Sequence, residues 1–139
     1  MNRASSNAEL LSPTNGKIDL LIIAGEHSGD ELAAYFAKDL LEKNPNLKIA
    51  ALGGNKLKEC GVDLVFNMVD HSVMGLVDVI KNYSFLKGLF NNTLSWIEKY
   101  QPKHICFVDY PGFNLRLAKA LKKKQLSLKG GGLIGLHYY

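Results

Sequence analysis

Two spacings of apolar residues, a strand-like one and a helical one, take turns along this chain, and each switch marks an element. Leu20 to Ala24 is a continuous apolar run, the pattern of a strand buried on both faces. Gly25 breaks it and Glu26-His27-Ser28-Gly29-Asp30 forms a polar turn. Leu32, Tyr35, Phe36, Leu40 and Leu41 then recur at helical spacing until Asn44-Pro45 stops the helix. Ser28 is placed to cap that helix, with Glu31 closing a capping box. Leu47 to Leu52 reads as a second buried strand, and Gly53-Gly54 turns into a short helix over Lys56 to Cys60. Gly61 ends that helix as a left-handed residue, and Leu64-Val65-Phe66 is a third strand.

The second half repeats the scheme. Val73 to Ile80 is unusually apolar, and Ser84 to Tyr100 is a helix with Leu86, Leu89, Phe90, Leu94, Ile97 and Tyr100 on one stripe. Phe85, Trp96 and Val73-Met74 fall off that stripe, apolar surface that suits a thick core, an acyl groove or a bilayer patch. His104 to Val108 is a fourth buried strand, followed by Asp109 and the turn Tyr110-Pro111-Gly112-Phe113. Asn114 is placed to cap a helix running to about Lys124; Gly130-Gly131-Gly132 is a loop, and Leu133 to Tyr138 is a final strand. Strand, turn and helix in this order predict an α/β fold, a Rossmann-like open parallel sheet with helices on both faces.

Composition fits one domain: 139 residues, 47% hydrophobic. Residues 1–17 are polar and read as a disordered leader, residues 18–139 as the domain. The leader has no apolar core of a signal peptide, and no apolar run nears the roughly 18 residues of a spanning helix. A cytoplasmic protein, at most peripheral to a membrane, is expected. Cys60 and Cys106 lie far apart in no ligand spacing, as buried free thiols would. The net charge of +4 hides an asymmetry: residues 1–80 hold 7 Lys and Arg against 11 Asp and Glu, residues 81–139 hold 10 against 2. A basic second half points to an anionic partner: nucleic acid, a phosphorylated small molecule or an anionic lipid surface.

Ligands of open α/β sheets sit at the carboxyl ends of the strands. Two turns fall there. Glu26, Ser28 and Asp30 follow the first strand, although Ser28 has a competing role as cap and Asp30 in offsetting the helix dipole. Asp109 follows the fourth strand, lined by Tyr110, Pro111 and Phe113, and is placed to act as a general base. The first turn is not a dinucleotide fingerprint, which argues against NAD. The glycines of the first turn are spaced G-x-x-x-G, two carboxylates would repel a pyrophosphate, and the second strand ends without an acid for the ribose. His27, His71 and His104 have no mutual spacing that suggests a metal site.

Three stretches in this order carry a family resemblance: Ala24-Gly25-Glu26-His27-Ser28-Gly29-Asp30, Val73-Met74-Gly75-Leu76-Val77-Asp78-Val79 and Asp109-Tyr110-Pro111-Gly112-Phe113-Asn114. Together they resemble the lipid-A-disaccharide synthases, and His137-Tyr138-Tyr139 resembles the start of that family's next strand. The resemblance implies the N-terminal, acceptor-side domain of a two-domain GT-B glycosyltransferase. Such enzymes join UDP-2,3-diacylglucosamine to 2,3-diacylglucosamine 1-phosphate, releasing UDP and leaving the β-1′,6-linked disaccharide of lipid A. An inverting reaction is implied, with no cofactor and no obligatory metal, at the inner face of a Gram-negative inner membrane. Asp109 is then the base for the acceptor's 6-hydroxyl. Glu26, Ser28, Gly29, Asp30, Met74, Gly75, Pro111, Phe113 and Asn114 are the expected substrate-binding positions. The expected partners are the two lipid substrates and an anionic membrane surface, with no nucleic acid.

This chain departs from the family in Lys122 to Gly132, which is longer and richer in glycine than the family's link. It also stops before the family's donor-binding domain, so the chain alone is expected to be inactive. Two other readings remain: another GT-B UDP-sugar transferase or epimerase, and a non-catalytic remnant or binding module of this fold.

Overall fold

The apolar runs become the centre of one sheet. The computed structural model describes residues 8–14, 16–69, 79–127 and 133–139. The elements are β1 (Leu20–Ala24), α1 (His27–Lys43), β2 (Ile49–Gly53), α2 (Asn55–Glu59), β3 (Asp63–Asn67), α3 (Val79–Tyr100), β4 (His104–Val108), α4 (Pro111–Ser127) and β5 (Gly135–Tyr138). Among the described residues five strands form one sheet in the order β3-β2-β1-β4-β5, and every neighbouring pair is parallel. This is the Rossmann-like α/β arrangement that the periodicity predicts.

Both faces are covered, as an all-parallel sheet requires. On one side Leu21, Ile23, Ile105 and Phe107 meet Leu89 and Ile97 of α3 and Phe113, Leu117 and Leu121 of α4. On the other, Ile22, Ala24, Ala51 and Val108 meet Ala33 and Ala37 of α1 and Leu57 of α2. Strand alternation sends odd and even residues to opposite layers, so β1 and β4 feed both cores.

Several expectations need correction. The buried face of α1 is Gly29, Asp30, Ala33 and Ala37, while Leu32 and Tyr35 are 42% and 76% exposed. Small side chains let the helix axis approach the strand closely, and the larger residues slide to its flanks. Phe85 and Trp96, by contrast, are core residues as the thick-core reading has it, 7% and 5% exposed. Their cover comes from the stretch expected to be a disordered leader. Ala8 is fully buried, the Trp96 indole N–H donates to the Leu11 carbonyl at 2.9 Å, and Asn92 donates to the Ala8 carbonyl at 2.8 Å. The Leu11 N–H donates to Val65 O at 2.9 Å and the Thr14 N–H to Asp63 Oδ2 at 2.7 Å, so this segment also shields the outer edge of β3. The fourth helix starts at Pro111, three residues ahead of the expected cap at Asn114. Gly61 is left-handed, φ +97°, as expected.

Candidate functional site

Strand order reverses between β1 and β4: the chain builds outward from β1 through β2 to β3, then returns to add β4 on the other side. Such a switch point leaves a crevice at the carboxyl ends of the two strands. Both candidate turns open into it, Gly25–Asp30 from β1 and Asp109–Asn114 from β4.

The turns touch through Gly25 and Tyr110. A Cβ at Gly25 would lie 2.5 Å from Cδ2 of the Tyr110 ring, so only glycine admits the ring there. Burial pushes the Tyr110 phenol above its ordinary pKa, and the nearby Glu26 carboxylate pushes it in the same direction. Glu26, not Ser28, holds the N-cap position just ahead of α1; its backbone is extended and its side chain makes no capping bond. Glu26 and Ser28 are therefore both exposed at the crevice and unspent on the helix. Gly29 is buried behind them, where a Cβ would meet Val108 O at 3.5 Å.

Asp30 has a different position from the one expected. It is 2% exposed, and its carboxylate accepts the N–H groups of Gly54 (2.8 Å), Lys56 (3.0 Å) and Leu57 (3.3 Å). It thus caps α2, whose own N-terminal residue, Gly54, has no side chain to do so. Any Cβ at Gly54 would stand 2.7 Å from Asp30 Oδ2. The residue supports the floor of the crevice from behind and has no oxygen facing it.

Asp109 and Tyr110 are consecutive left-handed residues, φ +54° and +50°. For tyrosine this conformation is strained, by roughly 1–2 kcal/mol. The surroundings hold the turn in place. The buried Asn114 amide donates to Asp109 O at 2.8 Å and Ile23 O at 3.2 Å, binding the ends of β1 and β4 together. The Asp109 N–H donates to Tyr139 O at 3.1 Å, which adds β5 to the same clamp. Asn114 thus sits inside the helix as a latch, and its Oδ1 is buried without a protein partner. Strain over-determined by its neighbours is the usual condition of a backbone that presents a working side chain. Asp109 itself is exposed beside the apolar residues rather than enclosed by them. Pro111 is exposed, and Phe113 turns away into the core, in edge contact with Phe90 at 5.7 Å.

That contact closes one wall of a cleft of about 410 Å³ between α3 and α4. Leu86, Phe90, Tyr110 and Phe113 give it an apolar lining, with Lys87 and Arg116 at its sides. The cleft was not visible in the sequence because its residues come from two helices that meet only in the folded chain. Met74 and Gly75 lie outside the described residues. Among the described residues no three His, Cys, Asp or Glu side chains are grouped to hold a metal ion. Likewise no helix is long and apolar enough to cross a membrane.

A parallel α/β domain with a switch-point crevice, two polar turns and an apolar cleft beside them defines a ligand-binding Rossmann-like unit. Residues 20–130 match the family described as Lipid-A-disaccharide synthetase, and the chain belongs to that family. Its relatives include the Lipid-A-disaccharide synthase of Coxiella burnetii (strain Dugway 5J108-111), 38% identical over 104 residues, 75% of this chain and 28% of that protein. Lipid-A-disaccharide synthase 1 of Legionella pneumophila (strain Paris) is 41% identical over 110 residues, 79% of this chain and 28% of its own length. The Granulibacter bethesdensis enzyme of the same name is 37% identical over 103 residues. The chain therefore spans little more than a quarter of the length of these curated relatives.

Proposed function

We propose that this domain is the acceptor-side half of an inverting glycosyltransferase that makes the lipid A disaccharide. The observation that carries the proposal is the Asp109 turn, a strained and clamped backbone at the switch point of a chain that belongs to this family. The acceptor is 2,3-diacylglucosamine 1-phosphate and the donor UDP-2,3-diacylglucosamine. The Asp109 carboxylate takes the proton of the acceptor's 6-hydroxyl as that oxygen bonds to the donor's anomeric carbon. The bond from that carbon to the UDP oxygen breaks on the opposite face, which inverts the centre and releases UDP. No redox partner enters the balance.

Glu26 and Ser28, exposed in the turn after β1, would hydrogen-bond sugar hydroxyls on this reading, with Gly29 buried behind them. Asn114 and Asp30 act through the backbone, one fixing the Asp109 turn and the other the floor. Pro111 and Phe113 shape the turn's apolar side, and Met74 and Gly75 would extend the acceptor site. On this reading the uridine diphosphate is held by the part of the family's chain outside the stretch matched here. The exposed cations of α3 and α4 suit the anionic inner face of a membrane, where both lipids lie.

A chimera tests this. Residues 20–130 replace the matched stretch of the Coxiella burnetii relative, and disaccharide formation is measured from both lipid substrates. The chimera should turn over, and Asp109→Asn should lower kcat by about 10²-fold or more at an unchanged melting temperature. Near-normal turnover of that variant removes Asp109 from the base role. A folded but inactive chimera rejects the activity for this chain.

A further inference from the structure

We propose that Lys87 and Arg116 form a clamp for the phosphate monoester of the acylated acceptor in the cleft between α3 and α4. The inference rests on the acceptor-side reading above and adds residues to it that neither the turns nor the family description assigns. Lys87 comes from α3 and Arg116 from α4, and both line the cleft of about 410 Å³ whose other walls are Leu86, Phe90 and Phe113. Both are exposed. Among the described residues no aspartate or glutamate lines this cleft. A volume in the range of small-molecule sites, apolar walls and two cations match an amphiphile with an anionic head.

Tyr110, which also lines the cleft, is the chain neighbour of Asp109, and the Glu26 carboxylate acts on its phenol. Carboxylates near Tyr110 would repel a phosphate dianion, which leaves Lys87 and Arg116 to draw it. The acyl chains then pack against Phe90 and Phe113.

The test is a titration of the 139-residue chain with monododecyl phosphate, dodecyl glucoside and inorganic phosphate, each below any micellar concentration. The alkyl phosphate should bind about tenfold or more tightly than the glucoside, the scale of one charge-assisted hydrogen bond, and inorganic phosphate should be weakest. In the K87Q/R116Q double variant the two amphiphiles should bind alike, at the level of the glucoside. A control variant, K119Q/K123Q, removes the same charge from exposed positions of α4 outside the cleft lining and should keep the preference. The proposal is overturned if the wild-type chain shows no preference, if neither amphiphile binds, or if the preference survives K87Q/R116Q. Loss of preference in the control variant also overturns it, since a diffuse field would then be the cause. The result is independent of the chimera: intact phosphate preference with an inactive chimera removes only the enzymatic reading, and the converse removes only the clamp.

Discussion

The Asp30 carboxylate, 2% exposed, accepts three backbone N–H groups from the β2–α2 turn. A carboxylate just past a strand's end is as good a candidate for a ligand as for a cap, and its residue type does not separate the two. The distance to Gly54 does, because the glycine leaves room for the side chain to reach across from α1. Removing it should leave three N–H donors in a buried place without an acceptor. Asp30→Ala should therefore lower stability by about 3 kcal/mol in urea unfolding, and Asp30→Asn, which keeps one acceptor oxygen, by less than half of that. An alanine variant within about 0.5 kcal/mol of wild type would mean that the turn is held by its other contacts. Asn114 illustrates the same ambiguity one turn away. Its position suggested a helix cap, while its amide instead ties Asp109 O to Ile23 O across two strands.

At the scale of elements, what the chain announces locally is what came out as expected. The run at Leu20–Ala24 needs only its own branched side chains to declare a buried strand, and Gly61 needs only its lack of a Cβ to end α2. Contacts made at long range were not legible. Residues 8–14 have no periodicity, yet Ala8 and Leu10 join the core to which Phe85, Leu89 and Trp96 of α3 belong, 75 or more residues further along the chain. The start of α4 was misplaced although Pro111 carried a signal, since proline is favoured at the first helical position. The docking of the N-terminal segment can be tested through Trp96. Trp96→Phe removes the indole N–H that meets Leu11 O at 2.9 Å and leaves that carbonyl unpaired. It should cost about 1–2 kcal/mol and speed amide exchange at Leu11, whose N–H otherwise bonds Val65 O. Unchanged exchange at Leu11 would show that the segment docks without this bond.

Across the whole molecule, charge and apolar surface are distributed unevenly, and the two patterns meet on the α3/α4 side. The chain's last 59 residues, 81–139, hold 10 Lys and Arg against 2 Asp and Glu. Lys87 and Lys99 on α3 and Lys119, Lys122 and Lys123 on α4 are all exposed, while Lys124 is paired with Glu98. On the opposite face Cys106 and His137 line a second cleft of about 290 Å³ with Leu20, Phe36, Leu40 and Leu47. Exposed cations bring a protein to an anionic bilayer, each contributing about 1 kcal/mol near the surface, and neighbouring apolar surface strengthens the hold. The attraction decays over about 10 Å at 0.1 M salt, so it must weaken as salt rises. The purified 139-residue chain should therefore sediment with vesicles containing anionic lipid, not with neutral ones, and release from them at high salt. Equal binding to neutral vesicles would assign the association to the apolar cleft alone.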